Sequence, residues 1–205
     1  ETVDDAVGLV LEALQTNGIA HNTIVIFTSD NGGVASGDHY ATSNLPLRGG
    51  KGYQWDGGIK VPFFIKVPWF NNVGSTSDYP VIATDFYPTL LDLVGLPFNE
   101  KQHLDGISLK SLLQGEAIDI KRPLYWHYPH YGNQGGEPTS IIQQDGWKLI
   151  HYWEDGHQEL YKLPSTEHDS LNVIAQHSEI AKILSDDLMI WLKKVNAKFP
   201  TEDSE

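Results

Sequence analysis

Three stretches of this sequence carry side chains suited to polar chemistry. In Asp30-Asn31-Gly32-Gly33 a carboxylate and an amide stand side by side at the end of an apolar run, so two oxygen donors point toward one spot. Read alone, those four residues are also an ordinary turn signal. The second stretch runs from Leu45 through Arg48-Gly49-Gly50-Lys51-Gly52 to Gly57-Gly58, with five glycines in the ten residues from Gly49. Glycines allow a close backbone approach to a ligand; Arg48 and Lys51 are the cations of the stretch, and Lys51, embedded among the glycines, suits an anion contact. A lysine is more commonly a solvated surface group, and the nearby acidic cluster is what favours the functional reading of Lys51. His39 lies between these two stretches and either faces the same cleft or is a solvated loop histidine. The third stretch, Tyr125-Trp126-His127-Tyr128-Pro129-His130-Tyr131, reads either as a packed strand running into a loop or as a substrate-lining loop. Thr28 and Ser29 have no base at recognisable spacing and are not read as nucleophiles.

The elements that must position these groups follow from the apolar periodicity. Val3, Ala6, Val7, Val10, Leu11 and Leu14 recur at helical spacing and predict an amphipathic helix, with Gly18 just past it where a left-handed cap is usual. Thr23-Ile24-Val25-Ile26-Phe27-Thr28 is β-branched, short and without polar alternation. It predicts a strand covered on both faces, as in parallel sheets, with Asp30 and Asn31 at its carboxyl end, where open α/β sheets collect ligands. Val61 to Pro68 predicts a second strand bounded by prolines. Phe86, Leu90, Leu91, Leu93 and Val94 predict a helix that Thr84 or Asp85 can cap and that Gly95 and Pro97 stop, and Ser108 can cap a last short turn. Beyond a polar stretch ending at Arg122 the period changes. Leu124–Tyr128, Ile141–Gln144, Trp147–Trp153 and Gln158–Leu163 read as strands, the last three separated by the tight-turn pairs Asp145-Gly146 and Asp155-Gly156. A closing helix over Ser178–Val195, with Ile180, Ile183, Leu184, Leu188, Trp191, Leu192 and Val195 on one face, covers that sheet. The expected domains are 1–121, an α/β part, and 122–205, a small antiparallel sheet with one helix.

With 14 basic against 27 acidic side chains, the net charge of -13 argues against a nucleic-acid partner, since phosphate binding needs a basic footprint. The absence of cysteine excludes a disulfide framework, a thiolate metal site and a thiol nucleophile within these residues. No apolar run is long enough to span a membrane as a helix. The chain opens at Glu1 within a helical pattern, so the true N-terminus is expected upstream. A sheet deprived of strands from that missing part is expected to expose an edge and self-associate.

Several separated stretches together resemble the type I sulfatases of the alkaline-phosphatase-like superfamily. They are Asn22 to Gly32, Pro46-Leu47-Arg48-Gly49-Gly50-Lys51-Gly52, Gly57-Gly58-Ile59-Lys60-Val61-Pro62, Thr84-Asp85-Phe86-Tyr87-Pro88-Thr89-Leu90-Leu91, and Leu104-Asp105-Gly106-Ile107-Ser108-Leu109, in the family's order and nearly its spacing. The match covers essentially the whole chain, more loosely after Arg122, and corresponds to the C-terminal half of such an enzyme. It implies an α/β fold, part of an alkaline-phosphatase-like sheet sandwiched by helices, plus a small C-terminal antiparallel sheet with one helix. It also implies hydrolysis of sulfate esters of carbohydrates or aryl alcohols, and a periplasmic or extracellular location for the intact protein. The resemblance makes Asp30 and Asn31 ligands of a divalent cation, usually calcium, with magnesium the alternative that hard oxygen donors also suit. It makes Lys51 the catalytic, sulfate-contacting lysine, while His39, His127 and His130 become candidates for touching the substrate. The family's nucleophile is a formylglycine made from a Cys/Ser-x-Pro-x-Arg motif of the N-terminal half, and these residues contain none.

Departures are few. Asp56 stands where the family usually has glutamate, Lys60 where it usually has arginine, and Thr166 to Asn172 is a degraded form of a motif near the family's end. Two other readings were weighed. Phosphodiesterases and phosphonate monoester hydrolases of the same superfamily tend to carry histidine where Asn31 stands, beside softer metals. A non-catalytic sugar-binding module rests on the aromatic-rich tail alone.

Overall fold

The computed structural model describes residues 1–35, 42–163 and 171–201. Along the chain run α1 (Thr2–Thr16), β1 (Val25–Thr28), α2 (Asp56–Ile59), β2 (Phe63–Lys66), α3 (Phe86–Leu93), α4 (Lys110–Leu113), β3 (Leu124–Tyr128), β4 (Thr139–Gln144), β5 (Trp147–Tyr152), β6 (Gln158–Lys162) and α5 (Ser178–Lys194). They form two compact units, residues 1–28 with 63–120 and residues 29–62 with 121–205. The glycine-rich segment groups with the C-terminal sheet and not with the helices and strands that flank it in sequence.

In the first unit, α1 ends as its sequence predicts. Gly18 adopts φ +68°, and the Ile19 amide donates to the Leu14 carbonyl at 3.1 Å. Its apolar stripe is not buried, however: no residue of α1 is, and Val3, Leu9 and Val10 are all exposed. Nor is β1 covered on both faces or paired in parallel. It pairs antiparallel with β2, Ile26 opposite Ile65, and the ring of Phe64 is 65% exposed. An unbroken apolar run signals faces meant to be covered, and carries no information about the direction of the neighbouring strand. A groove of about 560 Å³ lined by Val3, Val7, Leu11, Val25, Phe27 and Phe64 runs along these elements.

The family-like stretches around Asp85 and Gly106 prove to be halves of one lock. Asp85, fully buried, accepts from the Ile82 amide and the Ile107 amide, each at 3.0 Å, instead of capping the first turn of α3. Buried Thr89 accepts from the Leu109 amide at 3.0 Å. Asp92 accepts from Ser108 at 2.7 Å and pairs with Lys110 at 2.9 Å, and these hydrogen bonds hold its carboxyl below the usual range. Gly106 is required because a Cβ there would lie 2.0 Å from the Thr84 carbonyl.

The second unit is an antiparallel meander, β3-β4-β5-β6. Asp145 (φ +48°) and Gly146 (φ +79°) make the tight turn between β4 and β5 that their sequence predicts. Period-two alternation splits the sheet into two faces. Ile142, Leu149 and Leu160 pack against Ala181, Leu184, Leu188 and Leu192 of α5. On the opposite face Ile141, Ile150, Tyr152 and Tyr161 meet Trp55 and Ile59 of the glycine-rich segment. The expected stripe of α5 is nearly right, except that Ile183 and Val195 are exposed and Ala181 is buried in their place.

Candidate active site

The two stretches that sequence chemistry singled out first are joined by backbone. The Gly32 amide donates to the Gly58 carbonyl at 3.0 Å, and the Lys51 amide donates to the Gly33 carbonyl at 2.9 Å. Asn44 ties the same knot from its side chain, donating to the carbonyls of Gly33 (2.8 Å) and Gly49 (3.1 Å). Glycine is obligatory at these crossings. A Cβ on Gly32 would fall 1.7 Å from the Gly57 carbonyl oxygen, one on Gly57 would fall 2.3 Å from that of Gly49, and one on Gly58 would fall 2.1 Å from that of Tyr53. Asp30, Asn31 and Lys51 therefore belong to one cradle, built by close-packed main chain.

Within it, Asp30 is exposed and half-buried Asn31 donates its amide nitrogen to the Gly32 carbonyl at 2.8 Å. That bond fixes the amide and leaves its oxygen as an acceptor. Lys51 is half-buried, and its ammonium has no ion-pair partner among the described residues. Arg48, the other cation of the stretch, is spent: its guanidinium lies 3.5 Å above the Trp55 ring and donates to the Tyr161 hydroxyl at 3.1 Å.

The histidines part company. His39 lies outside the described residues. Both ring nitrogens of His127 are engaged, Nδ1 with the Ser140 hydroxyl at 2.7 Å and Nε2 with the Lys198 carbonyl at 2.6 Å. A carbonyl only accepts, so Nε2 donates to Lys198, and the Ser140 hydroxyl also accepts from Trp153 Nε1 at 2.9 Å. With its valences satisfied, His127 has no nitrogen left for a substrate in this arrangement. His130 is exposed, edge-on to Tyr128 at 5.5 Å. It sits in the β3–β4 loop, which packs on the cradle beside Lys51: a Cβ on Gly136 would fall 2.1 Å from the Gly52 carbonyl, and Tyr53 fills the space beside Gly135.

A polar network beneath the cradle was not singled out from sequence. Lys148, 1% exposed on β5, pairs with Asp56 at 3.0 Å, and Lys60 approaches the other carboxylate oxygen at 3.1 Å. Burial alone would raise the Asp56 carboxyl, but the two ammonium groups, Lys148 first, bring it below its ordinary value. Alongside, Gln54 donates to the Tyr152 hydroxyl at 3.1 Å, Tyr152 donates to Glu159 at 2.5 Å, and Trp55 Nε1 donates to the same carboxylate at 3.3 Å. Burial pushes the Tyr152 phenol well up, so it stays a donor. The available signal was Lys148 itself, a lysine sharing a strand face with Ile150 and Tyr152.

The sequence matches the family model described as Sulfatase over residues 1–96, and the one described as N-sulphoglucosamine sulphohydrolase, C-terminal, over residues 50–197. The chain belongs to the sulfatase family and has its alkaline-phosphatase-like fold. It is 36% identical to a sulfatase of Formosa agariphila over 96% of this chain and 39% of that protein. Among solved structures it resembles BT4656, described in complex with its substrate D-glucosamine-2-N,6-O-disulfate, with 26% identity and a TM-score of 0.77 over 98% of this chain and 40% of that one. It also resembles Ps i-CgsB in complex with k-i-k-neocarrahexaose, with 28% identity and a TM-score of 0.75 over 92% and 40%. The chain thus spans about two fifths of the length of these relatives.

Proposed function

We propose that this chain is the C-terminal part of an enzyme that hydrolyses sulfate esters of carbohydrates, with Lys51 contacting the sulfate. The observation that carries the reading is the backbone knot that puts Lys51 in one cradle with Asp30 and Asn31. Support for the substrate class comes from the solved relative whose stated substrate is a disulfated glucosamine. Lys51 holds a positive charge where the sulfuryl oxygens gain negative charge as the sulfur–oxygen bond breaks. A preorganised donor of that kind acts most strongly in the transition state.

The donors of Asp30 and Asn31 are all oxygen, which fits calcium or magnesium and not a soft metal. Calcium takes roughly six to eight oxygens, so these two side chains supply part of a shell that other groups complete. Among the described residues no cluster of three or more His, Cys, Asp or Glu side chains stands ready to do so. When bound, the cation would polarise the sulfate ester. The formylglycine nucleophile belongs to a part of the enzyme that these residues do not contain. The exposed apolar groove along α1, β1 and β2 is the surface on which that part would pack, and in its absence would favour self-association. In this reading exposed His130, on the β3–β4 loop that packs on the cradle, contacts the sugar. A periplasmic or extracellular setting follows from the substrate class. No helix of the described residues is long and apolar enough to cross a membrane.

The test is an assay of the intact enzyme on an aryl sulfate, sulfated glucosamines and the corresponding phosphate esters. Turnover of sulfate esters in preference to phosphate esters is expected; preference for phosphodiesters or phosphonates would transfer the reading to that branch of the superfamily.

A further inference from the structure

The buried pair Lys148–Asp56 is unexplained by the fold alone. Taking an ammonium and a carboxylate out of water costs about as much as their attraction returns, so such a pair is weak evidence for stability and better evidence for specifying one arrangement. Asp56 opens the short helix α2, whose next two residues are Gly57 and Gly58. Gly57 donates to the Arg48 carbonyl at 2.8 Å, and Gly58 accepts from Gly32 at 3.0 Å. No side chain fits between Gly57 and Gly49 or between Gly58 and Gly50, where a Cβ would come within 2.3 Å and 2.5 Å of the facing carbonyl oxygens. Any shift of Asp56 is therefore carried directly to the residues before Lys51 and to those after Asn31. Lys148 reaches Asp56 from β5, in the centre of the sheet, whose opposite face is fixed by α5. Lys60, more than half exposed, contributes little to holding the carboxylate.

We infer that Lys148 is a positioning residue: through Asp56 it registers the glycine-rich segment on the C-terminal sheet, and so sets the place of Lys51 relative to Asp30 and Asn31. The inference rests on the proposed role of Lys51, and its test separates the two. In the intact enzyme, Lys148→Met alone would take from the buried Asp56 carboxylate its buried ammonium partner, and misfolding is a real outcome. The decisive variant is Asp56→Asn with Lys148→Met, which removes both charges of the pair together.

For that double variant the melting temperature is expected to stay near the wild-type value. Amide hydrogen exchange of residues 49–58 should accelerate on the order of tenfold while β4 and β5 remain protected. Turnover on a sulfate ester should fall about a hundred-fold with KM little changed, the cost of misplacing a group by about an ångström. Unchanged exchange over 49–58, or turnover restored to wild type along with the melting temperature, overturns the inference and leaves the pair a structural element. If the wild-type enzyme does not turn over sulfate esters, the sulfate reading of Lys51 fails, and the exchange measurement alone decides whether Lys148 positions the segment.

Discussion

The two faces of the C-terminal sheet are built on different physics. Toward α5, the contact is mainly Ile142, Leu149 and Leu160 against four aliphatic positions of one helix, apolar burial without direction, with a hydrogen bond from Gln158 to Ser185 beside it. Toward the cradle, aromatic and aliphatic contacts are interleaved with a buried ion pair, a stacked guanidinium and a tyrosine shared by Gln54 and Glu159. Apolar contacts tolerate small slips, whereas directional bonds do not. One face therefore makes the unit stable, and the other fixes the geometry of the glycine-rich cradle.

The sharpest way to separate the faces is to strike the site itself. In the intact enzyme Lys51→Ala is expected to lower kcat by about a hundred- to a thousand-fold and to raise KM less, with no loss of melting temperature, as steady-state kinetics and thermal unfolding will show. A strike at the helix face should do the reverse. Leu188, fully buried in α5, when cut to alanine should cost about 2–5 kcal/mol in denaturant unfolding, with kcat per folded molecule unchanged. Were Leu188→Ala to lower kcat in the folded enzyme, the division of labour would be wrong.

A third substitution sits between these extremes. Tyr152→Phe keeps the ring but leaves Gln54 and Glu159 without their shared hydroxyl. It should cost about 1–3 kcal/mol, the price of buried groups left unsatisfied, and should lower kcat as well because the cradle loosens.

The smallest effect tests a titrating histidine on the helix side. His151 accepts from Gln158 at 3.1 Å, and Gln158 reaches Ser185 of α5 at 2.8 Å. Burial first, and the positive charge of nearby His157 second, lower its pKa, against the opposing pull of Asp155. With the folded value below the unfolded one, the stability it contributes is whole above about pH 6.5 and is lost as pH falls from there toward the folded value. His151→Gln should flatten that slope in melting temperature against pH; an unchanged slope would place the titration elsewhere.

What was legible in the sequence follows the same division. The four strands, the Asp145-Gly146 turn and α5 were readable because each is announced by local periodicity and turn chemistry. The family-like stretches marked the cradle because glycine packing leaves a compositional trace. The direction of pairing of β1 with β2, and the exposure of α1, were not readable, since an apolar pattern records what a segment is built to bury and not what lies against it. His127 looked functional because its type is, and only its partners Ser140 and Lys198, on other segments, reveal that its ring nitrogens are occupied. Lys148 was missed for the converse reason: a lysine on an apolar strand face is a local mark, but its partner stands ninety-two residues away and nothing local names it.

The central claim is that Lys51, Asp30 and Asn31 form one anion site held together by the main chain of Gly32, Gly33, Gly57 and Gly58. A crystal structure of the intact enzyme with bound sulfate tests it most directly. The account predicts a sulfate oxygen about 2.7–3.2 Å from Lys51 Nζ, with a divalent cation held by the side-chain oxygens of Asp30 and Asn31. Sulfate bound elsewhere, with Lys51 turned into solvent, would contradict it.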